Sequence, residues 1–217
     1  MKITIKSLEE KLGTLSAPSK MPCFSFSIPA QRCLIGSKLR EKATNSTCAS
    51  CYALRGRYVF KNVREALETR YNKFITSELS EWIENMTMLI AKKEKSGFFR
   101  WHDSGDLQSV KHFSAIVEIA KNLPNIKFWL PTREYKIVND FVSEQGALPS
   151  NLTVRLSAYF VGSKPPQAAA KRMGAVTSTV DYSESKHVCP SSKQGGKCLE
   201  CRACWDKNVS NVDYPKH

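Results

Sequence analysis

The stretch GFFRWHDSGDLQSVKHFSAIVEIAKNLPNIKFWLPTRE, residues 97–134, contains a strand, a helix and a second strand in succession. Residues 97–101 and 126–130 form short apolar runs, whereas the segment between them repeats apolar residues with helical spacing. Because parallel strands are joined by crossover helices, this unit predicts a parallel sheet. Both strands end in polar residues, HDSGD and PTRE, and the carboxyl edge of such a sheet is where chemistry is usually found.

The same alternation continues on both sides of this unit. Strands are also predicted at 152–158 and 175–180, and a short alternating strand at KITIK, residues 2–6. Helices are predicted at 62–75, at 77 to Gly97, and at 109–122, 135–145 and 166–173. A full eight-unit barrel typically needs about 250 residues. The pattern therefore predicts an α/β fold, as a reduced or irregular triosephosphate-isomerase-type (β/α) barrel with cysteine-rich, metal-binding segments at both ends.

One domain is expected over residues 1–217, with three parts. Residues 1–60 are irregular, Pro- and Ser-rich and contain four cysteines, residues 61–185 form the α/β core, and residues 186–217 form a tail with four more cysteines. No apolar run reaches the roughly 18 residues of a membrane span, and the first residues lack the apolar region of a secretion signal. We therefore expect a protein without membrane partners, in the cytoplasm, which is the host cytoplasm if a phage encodes it.

The charge balance favours a polyanionic partner. Lys and Arg outnumber Asp and Glu by 33 to 20, which gives a formal net charge of +13 and an isoelectric point near 9.4. Nucleic acid, DNA or tRNA, is the first candidate for such a partner. The alternative is a solvated basic surface, since the basic residues are spread along the chain. The sequence gives no indication of the oligomeric state.

The eight cysteines fall into two groups of four, which favours metal over disulfides in a chain of this size. The tail sequence CPSSKQGGKCLECRACW supplies Cys189, Cys198, Cys201 and Cys204, a set typical of a structural four-thiolate zinc site. An iron–sulfur cluster is the alternative for the same run. The amino-terminal set, predicted as a second metal site, consists of Cys23, Cys33, Cys48 and Cys51. Here the alternative is that Cys23 or Cys33 is a small buried apolar residue.

Basic and aromatic residues surround the CxxC pair formed by Cys48 and Cys51. The nucleic-acid-binding candidates are Tyr52, Arg55, Arg57 and Tyr58. Arginines contact phosphates and tyrosines stack on bases, so this mixture suits a nucleic-acid surface. Packing of the two tyrosines over a metal loop is the alternative.

The loop HDSGD carries the candidate catalytic residues His102, Asp103 and Asp106. Two neighbouring carboxylates have their pKa values pushed apart, so one can act as a nucleophile and the other can handle a proton. Gly105 allows a sharp turn between them, and His102 could modulate either one. The alternative is helix capping, in which Asp106 or Ser109 satisfies amide groups of the following helix.

HDSGDLQS resembles the DSGGFQ signature of tRNA-guanine transglycosylases, which have a triosephosphate-isomerase-type barrel, and LPTRE resembles their PTR segment. A cysteine-rich zinc site also comes late in that family, as CLECRACW does here. Separately, the layout of MPCFSFSIPAQRC, CASCYALRGRY, RWHDSGD, FWLPTRE and the tail is similar to small phage proteins of the gene-product-88 type. Together these suggest a reduced phage relative of the DpdA-type enzymes.

The resemblance implies exchange of guanine in DNA, or in tRNA, for a free 7-deazaguanine base such as 7-cyano-7-deazaguanine. Asp103 would be the nucleophile of a covalent intermediate and Asp106 the acid/base, or the reverse, with one or two structural zinc ions. The expected substrate-binding residues are Ser104, Gly105, Arg133, Glu134, Arg155, Ser157 and Tyr159. Two departures matter: Asp106 replaces the second Gly of the signature, and Lys127 stands where the family keeps its nucleophile.

Two other functions remain open at this point. One is an iron–sulfur, radical-type enzyme that modifies nucleic acid, although the CxxxCxxC spacing of radical S-adenosylmethionine enzymes is not present. The other is a non-catalytic, zinc-stabilised nucleic-acid-binding protein whose aspartates are caps and turn residues. For Arg133 and Glu134 a surface ion pair is the alternative, and for Tyr159 it is packing on the sheet.

Overall fold

A computed structural model describes residues 3–216, which contain a sheet of six parallel strands. The strands are β1 (Ser25–Phe26), β2 (Phe98–Trp101), β3 (Lys127–Thr132), β4 (Leu152–Ser157), β5 (Val176–Val180) and β6 (Asn211–Tyr214). Their order in the sheet is their order in the chain, and every neighbouring pair is parallel. The predicted α/β class with a parallel sheet is confirmed.

Seven α-helices connect or flank these strands. They are α1 (Ile5–Leu12), α2 (Leu34–Lys42), α3 (Lys61–Thr76), α4 (Leu79–Lys93), α5 (Val110–Asn122), α6 (Tyr135–Gln145) and α7 (Gln167–Arg172). Short 3-10 turns occur at Ala30–Arg32, Tyr52–Leu54, Gly56–Val59, Pro190–Lys193 and Ala203–Trp205. Among residues 3–216, no helix combines the length and apolar character that crossing a membrane requires. The four longer predicted strands, β2 to β5, and the predicted helices α3 to α7 are confirmed.

The strand predicted at residues 2–6 is wrong where the structure describes it; Lys2 lies outside the described residues. α1 begins at Ile5, after a capping box in which Thr4 Oγ1 accepts a hydrogen bond from Ser7 N at 3.1 Å and Ser7 Oγ accepts one from Thr4 N at 3.1 Å. This cap satisfies free amide groups of the first turn and places Leu8 and Leu12 on the buried face. The hydrogen bonds of the capping box therefore favour a helix here, although the alternation of Ile3 and Ile5 with polar residues is typical of a strand.

One face of the sheet builds the main core. Strand residues such as Phe26, Trp101 and Phe128 are fully buried there. They pack with α4, α5 and α6, and α1 covers α4. Each fully buried side chain of this size stabilises the fold by about 1.5–3 kcal/mol.

The opposite face is covered by the cysteine-rich tail. Trp205 packs against Trp129 with ring centroids 5.2 Å apart, and its indole Nε1 donates to Phe99 O at 2.8 Å. Arg155, fully buried on β4, donates to five main-chain carbonyls; they belong to Thr177, Ala203, Cys204, Asp206 and Val209. The tail is thus held to the sheet by an arginine from within the sheet.

Gly105 fixes the path of the chain after β2. Its φ is +83°, and a Cβ there would lie 2.3 Å from Ile28 Cγ1 and 2.8 Å from Ile28 O. Ile28 N also donates to Ser104 O at 3.1 Å. Only glycine accommodates this conformation and this approach, so the HDSGD loop is locked against the segment that follows β1.

Candidate functional site

Asp103 lies at the carboxyl edge of β2, where loops from β1 and from residues 52–58 converge on it. Its carboxylate accepts hydrogen bonds from Ser25 Oγ at 2.8 Å and Tyr58 OH at 2.7 Å. Its main-chain oxygen accepts one from Tyr52 OH at 2.5 Å. We call Ser25, Tyr52, Tyr58, Arg100 and Asp103 the aspartate–tyrosine group. A carboxylate held by two neutral hydroxyl donors keeps a fixed orientation.

Arg100, from the middle of β2, completes this group and was missed in the sequence. Its guanidinium stacks 4.3 Å from the ring centroid of Trp129, and Nη2 donates to Tyr52 OH at 3.3 Å. Arg100 Nε is buried and finds no hydrogen-bond partner among residues 3–216. The sequence did contain an indication of this role, because Arg100 is a charged residue inside the apolar run FFRW. A charged side chain is rarely buried unless it is paired, so one within a buried strand suggests a role other than packing.

Asp106 faces a different set of partners. Thr132 Oγ1 donates to Asp106 Oδ1 at 2.6 Å, Leu107 N at 2.8 Å to the same oxygen, and Arg133 N to Oδ2 at 2.9 Å. Burial raises the pKa of Asp106, and these donors oppose the shift. Asp103 and Asp106 share no hydrogen-bond partner in the described part of the chain. Asp106 therefore ties the loop after β2 to the end of β3. The alternative of helix capping applies to Ser109, which caps α5 by accepting a hydrogen bond from His112 N.

His102 turns away from the edge into the main core. Its φ is +57°, and its ring packs against His112 of α5 with centroids 5.2 Å apart. Burial, with His112 and then Arg100 adding to it, lowers the pKa of His102 well below its usual value. Neither ring nitrogen of His102 has a hydrogen-bond partner within residues 3–216. The structure therefore places His102 away from the hydrogen bonds of both aspartates.

Three cysteines lie beside Asp106 at the same edge. We call Cys33, Cys48, Cys51, Asp106 and Glu134 the thiol–carboxylate group. A Cβ on the buried Gly36 would lie 3.5 Å from Cys48 Sγ and 3.6 Å from Cys33 Sγ, so the two thiols flank one glycine. Burial raises the pKa of Cys33, and Asp106, Cys51, Cys48 and Glu134 add to the effect in that order.

Glu134 is the residue of this group whose pKa lies near neutrality. Burial, followed by the neighbouring Asp106, raises its pKa to about 7. Its Oε1 accepts a hydrogen bond from Ile35 N at 2.7 Å. No ion pair joins it to Arg133 in residues 3–216, so the contact expected under the surface-pair alternative is not formed.

Cys23 lies with the tail cysteines, not with Cys33, Cys48 and Cys51. It shares an apolar cluster with Cys189, Cys201 and Cys204, and Cys198 is among the groups that raise its pKa. All eight thiols are free. Within the described chain, no three His, Cys, Asp or Glu side chains already stand in positions to hold a metal ion together. The metal sites expected from the sequence stay predictions.

The other expected substrate-binding residues are spread over two places. Tyr159 OH donates to Arg133 O at 3.2 Å, and the Tyr159 ring stacks on Tyr135 with centroids 4.7 Å apart. Ser157 Oγ is 3.0 Å from Ser178 Oγ. These residues stay at the carboxyl edge, with Ser104 and Gly105 in the adjacent loop. Arg155, in contrast, uses its guanidinium to bond main-chain carbonyls of the tail and of β5. These hydrogen bonds account for its buried position, and no substrate contact is needed to explain it.

The loop of residues 52–60 presents an exposed surface beside Asp103. Tyr52 is 45% exposed although its hydroxyl is bound, and Phe60 is 58% exposed. Arg55 and Arg57 are exposed as well. This loop therefore presents to solvent the guanidinium groups of Arg55 and Arg57 and the rings of Tyr52 and Phe60.

Comparison with known proteins gives one family. Residues 3–207 match the family described as Gene product 88. This agrees with the layout resemblance noted in the sequence. Neither a curated protein nor a solved structure matches the chain.

Proposed function

The chain belongs to the Gene product 88 family, and we propose that it is a nucleic-acid guanine transglycosylase that exchanges guanine for a free 7-deazaguanine base, with Asp103 as the nucleophile. The observation that carries the proposal is the fixed Asp103 carboxylate at the carboxyl edge of a parallel sheet. The strands also follow one another in the sheet in chain order, as the strands of a (β/α) barrel do.

Asp103 suits nucleophilic attack better than Asp106. Two neutral hydroxyl donors, Ser25 and Tyr58, orient the Asp103 carboxylate. The two Asp106 oxygens, in contrast, accept three hydrogen bonds that hold the β2 and β3 loops together. In the reaction an Asp103 oxygen forms a bond to the sugar C1′ while the C1′–N9 bond of guanine breaks. The group that gave its proton to the departing guanine then takes the N9 proton of the incoming base, and that base attacks C1′ and releases Asp103 from the ester.

The departing guanine needs a proton, and Glu134 is the group whose pKa suits this transfer. A general acid works best when its pKa lies near the working pH, and burial raises the pKa of Glu134 to about 7. Asp106, next to Glu134, contributes to that value. Glu134 N donates to Thr132 Oγ1 at 3.0 Å and Thr132 Oγ1 donates to Asp106, which places Glu134 beside the HDSGD loop. On this geometry we assign the proton transfer to Glu134 and the positioning of the β3 loop to Asp106.

The polymer would lie over the exposed loop of residues 52–60. Arg55 and Arg57 are placed to contact phosphates, and the exposed ring of Tyr52 to stack on a base. A base inside a duplex cannot reach Asp103, so the target nucleotide has to be single-stranded or flipped out.

The test is incubation of the protein with guanine-containing DNA or tRNA and labelled 7-cyano-7-deazaguanine. The expected result is incorporation of label, reduced at least about 10³-fold in Asp103→Asn, because the amide keeps the shape but not the nucleophile. Asp140→Asn, on the surface of α6, is the matched control and keeps activity. Omission of the free base is expected to leave a protein–nucleic-acid ester that hydroxylamine cleaves.

Absence of incorporation into any DNA or tRNA by folded wild-type protein would reject the transglycosylase. Nucleic-acid binding that survives in that case would leave a binding protein, the non-catalytic alternative. Full activity of Asp103→Asn would reject Asp103 as the nucleophile.

A second function is favoured by a separate observation, the thiol–carboxylate group. Three cysteines at the carboxyl edge of a parallel sheet offer three ligands to an iron–sulfur cluster and leave one iron open to a substrate. Anaerobic purification distinguishes this enzyme from the transglycosylase. Iron, acid-labile sulfide and visible absorption that disappear in Cys48→Ala would support it, and colourless active protein would exclude it.

A further inference from the structure

We propose that Cys23, Cys189, Cys198 and Cys201 form a four-thiolate zinc site that joins the segment before β1 to the tail, and that Cys204 is not a ligand. This set differs from the one that sequence spacing suggests, because it includes Cys23. That residue lies 166 positions before Cys189, the first cysteine of the tail. The inference does not depend on the proposed function.

Main-chain contacts bring residue 23 and the tail together. Cys198 N donates to Lys20 O at 2.8 Å, and a Cβ on Gly196 would lie 3.5 Å from Lys20 Cε. Cys23, Cys189, Cys201 and Cys204 belong to one apolar cluster with Met21 and Trp129. Cys198 also acts electrostatically on Cys23, and Cys189 and Cys201 act on Cys198, so the four thiols are neighbours. Within the described residues the thiols do not already stand in metal-binding positions, so zinc binding would require their side chains to rotate.

The position of Cys189 is fixed from the other side. Cys189 N donates to Asp213 O at 2.7 Å, which attaches the residue to β6, and its Sγ lies 3.3 Å from Ser191 Oγ. Cys198 and Cys201 are joined by a turn in which Cys201 N donates to Cys198 O at 2.9 Å. A CxxC turn next to a distant pair of cysteines is the usual arrangement of a structural zinc site.

The side chain and the main chain of Cys204 both make contacts within the fold. Its Sγ lies 3.1 Å from Tyr214 OH, and its main-chain oxygen accepts from Arg155 Nε at 3.0 Å. It is buried within the 3-10 turn Ala203–Trp205, which Arg155 and Trp205 fix to the sheet. Cys204 therefore packs as a small apolar residue while the other four cysteines remain at the join.

The local charge fits a site with a net charge of −2, which four thiolates and Zn²⁺ produce. Arg100 and Arg202 are the cationic groups close to Cys23 and Cys198. The guanidinium of Arg202 stacks 5.2 Å from the Phe98 ring centroid, and Arg100 stacks on Trp129. Both lie on the face of the sheet that the tail covers, where they offset the charge of the site.

Metal analysis of the purified full chain and of single Cys→Ser variants tests the ligand set. We expect zinc in the wild type and in Cys204→Ser, and at least a tenfold lower zinc affinity in Cys23→Ser. Zinc retained by Cys23→Ser and lost by Cys204→Ser would overturn the assignment. Wild-type protein without bound zinc after purification and zinc addition would overturn it as well, and iron with sulfide at this site would overturn the choice of metal.

Cobalt substitution guards against a variant that only misfolds. Cys23→His retains four possible ligands, and imidazole is a stronger-field ligand than thiolate. The cobalt-loaded Cys23→His protein is therefore expected to absorb at shorter wavelength than the cobalt-loaded wild type. An unchanged cobalt spectrum would show that residue 23 does not bind the metal. Cys204→Ser, which keeps a small side chain beside Tyr214 OH, is the control and leaves the spectrum unchanged.

Discussion

At the scale of single residues, His102 and His112 form a pair of neighbouring ionisable groups in the core. Both rings are buried, and each lies beside aromatic groups, with His112 4.2 Å from the ring centroid of Phe74. Burial lowers the pKa of His112 to about 3. A charge on either ring would also repel the other ring. The native state therefore requires both histidines to be neutral.

This predicts a loss of stability in acid that replacement of His112 reduces. The folded-state pKa is below the usual 6.5, so the contribution is fully present above pH 6.5 and is lost as pH falls toward 3. In His112→Phe the difference from wild type across this window is expected to be on the order of 4 kcal/mol. Urea unfolding at a series of pH values measures it. Parallel curves for the two proteins would show that His112 does not titrate with unfolding.

The roles within HDSGD could be predicted only in part. The position of the loop at the carboxyl edge followed from the end of an apolar strand. The separation of Asp103, Asp106 and His102 depends on Gly105 at positive φ and on His102 at φ +57°. These backbone conformations send three nearby residues to three different surroundings, and spacing alone does not reveal them.

At the scale of elements, long apolar periods predicted β2 to β5 and α3 to α7. β1 has two residues, and β6 reads NVDY, so neither carries a period that can be recognised. The grouping of Cys23 with the tail is likewise a tertiary contact, made through Lys20 O and Cys198 N. The sequence predicted two sets of four cysteines. In the fold three of them lie together at the carboxyl edge, and Cys23 joins the four cysteines of the tail.

The attachment of the tail predicts a large effect for one buried arginine. Arg155→Met keeps the volume but leaves five carbonyls without their donor. We expect a loss of about 3–5 kcal/mol in the free energy of unfolding, and faster proteolysis within the tail. Arg172→Met, exposed on α7, is the control. Equal stability of both variants would contradict the anchoring role.

At the scale of the whole molecule, the net charge of +13 acts through its distribution. Arg55 and Arg57 stand exposed on the loop beside Asp103, at the carboxyl edge of the sheet. Lys92, in the last turn of α4, and Lys95, between α4 and β2, stand exposed at the amino edge. A nucleic acid bound for chemistry at Asp103 would contact the first pair and not the second.

Salt dependence distinguishes these surfaces. Replacement of both Arg55 and Arg57 by Ala is expected to weaken binding of single-stranded DNA and to reduce the slope of log K against log salt by about 1.4, since each lost phosphate contact on a single strand removes about 0.7. Replacement of both Lys92 and Lys95 by Ala removes the same charge and leaves the slope nearly unchanged. Fluorescence anisotropy at several salt concentrations measures both. Equal slopes would place the binding surface elsewhere.

The agreement between strand order and chain order also bears on how the protein folds. Each strand from β2 onward adds to the edge formed by the one before it, so most pairings involve neighbouring parts of the chain. The contact of Lys20 with Cys198 is different, because it closes a loop of nearly the whole chain. We therefore expect the sheet and its helices to form first, as the chain is synthesised, and the tail to dock in a later, slower step. Until then Arg100, Trp129 and Arg155 face solvent, which makes this interval the one most exposed to aggregation.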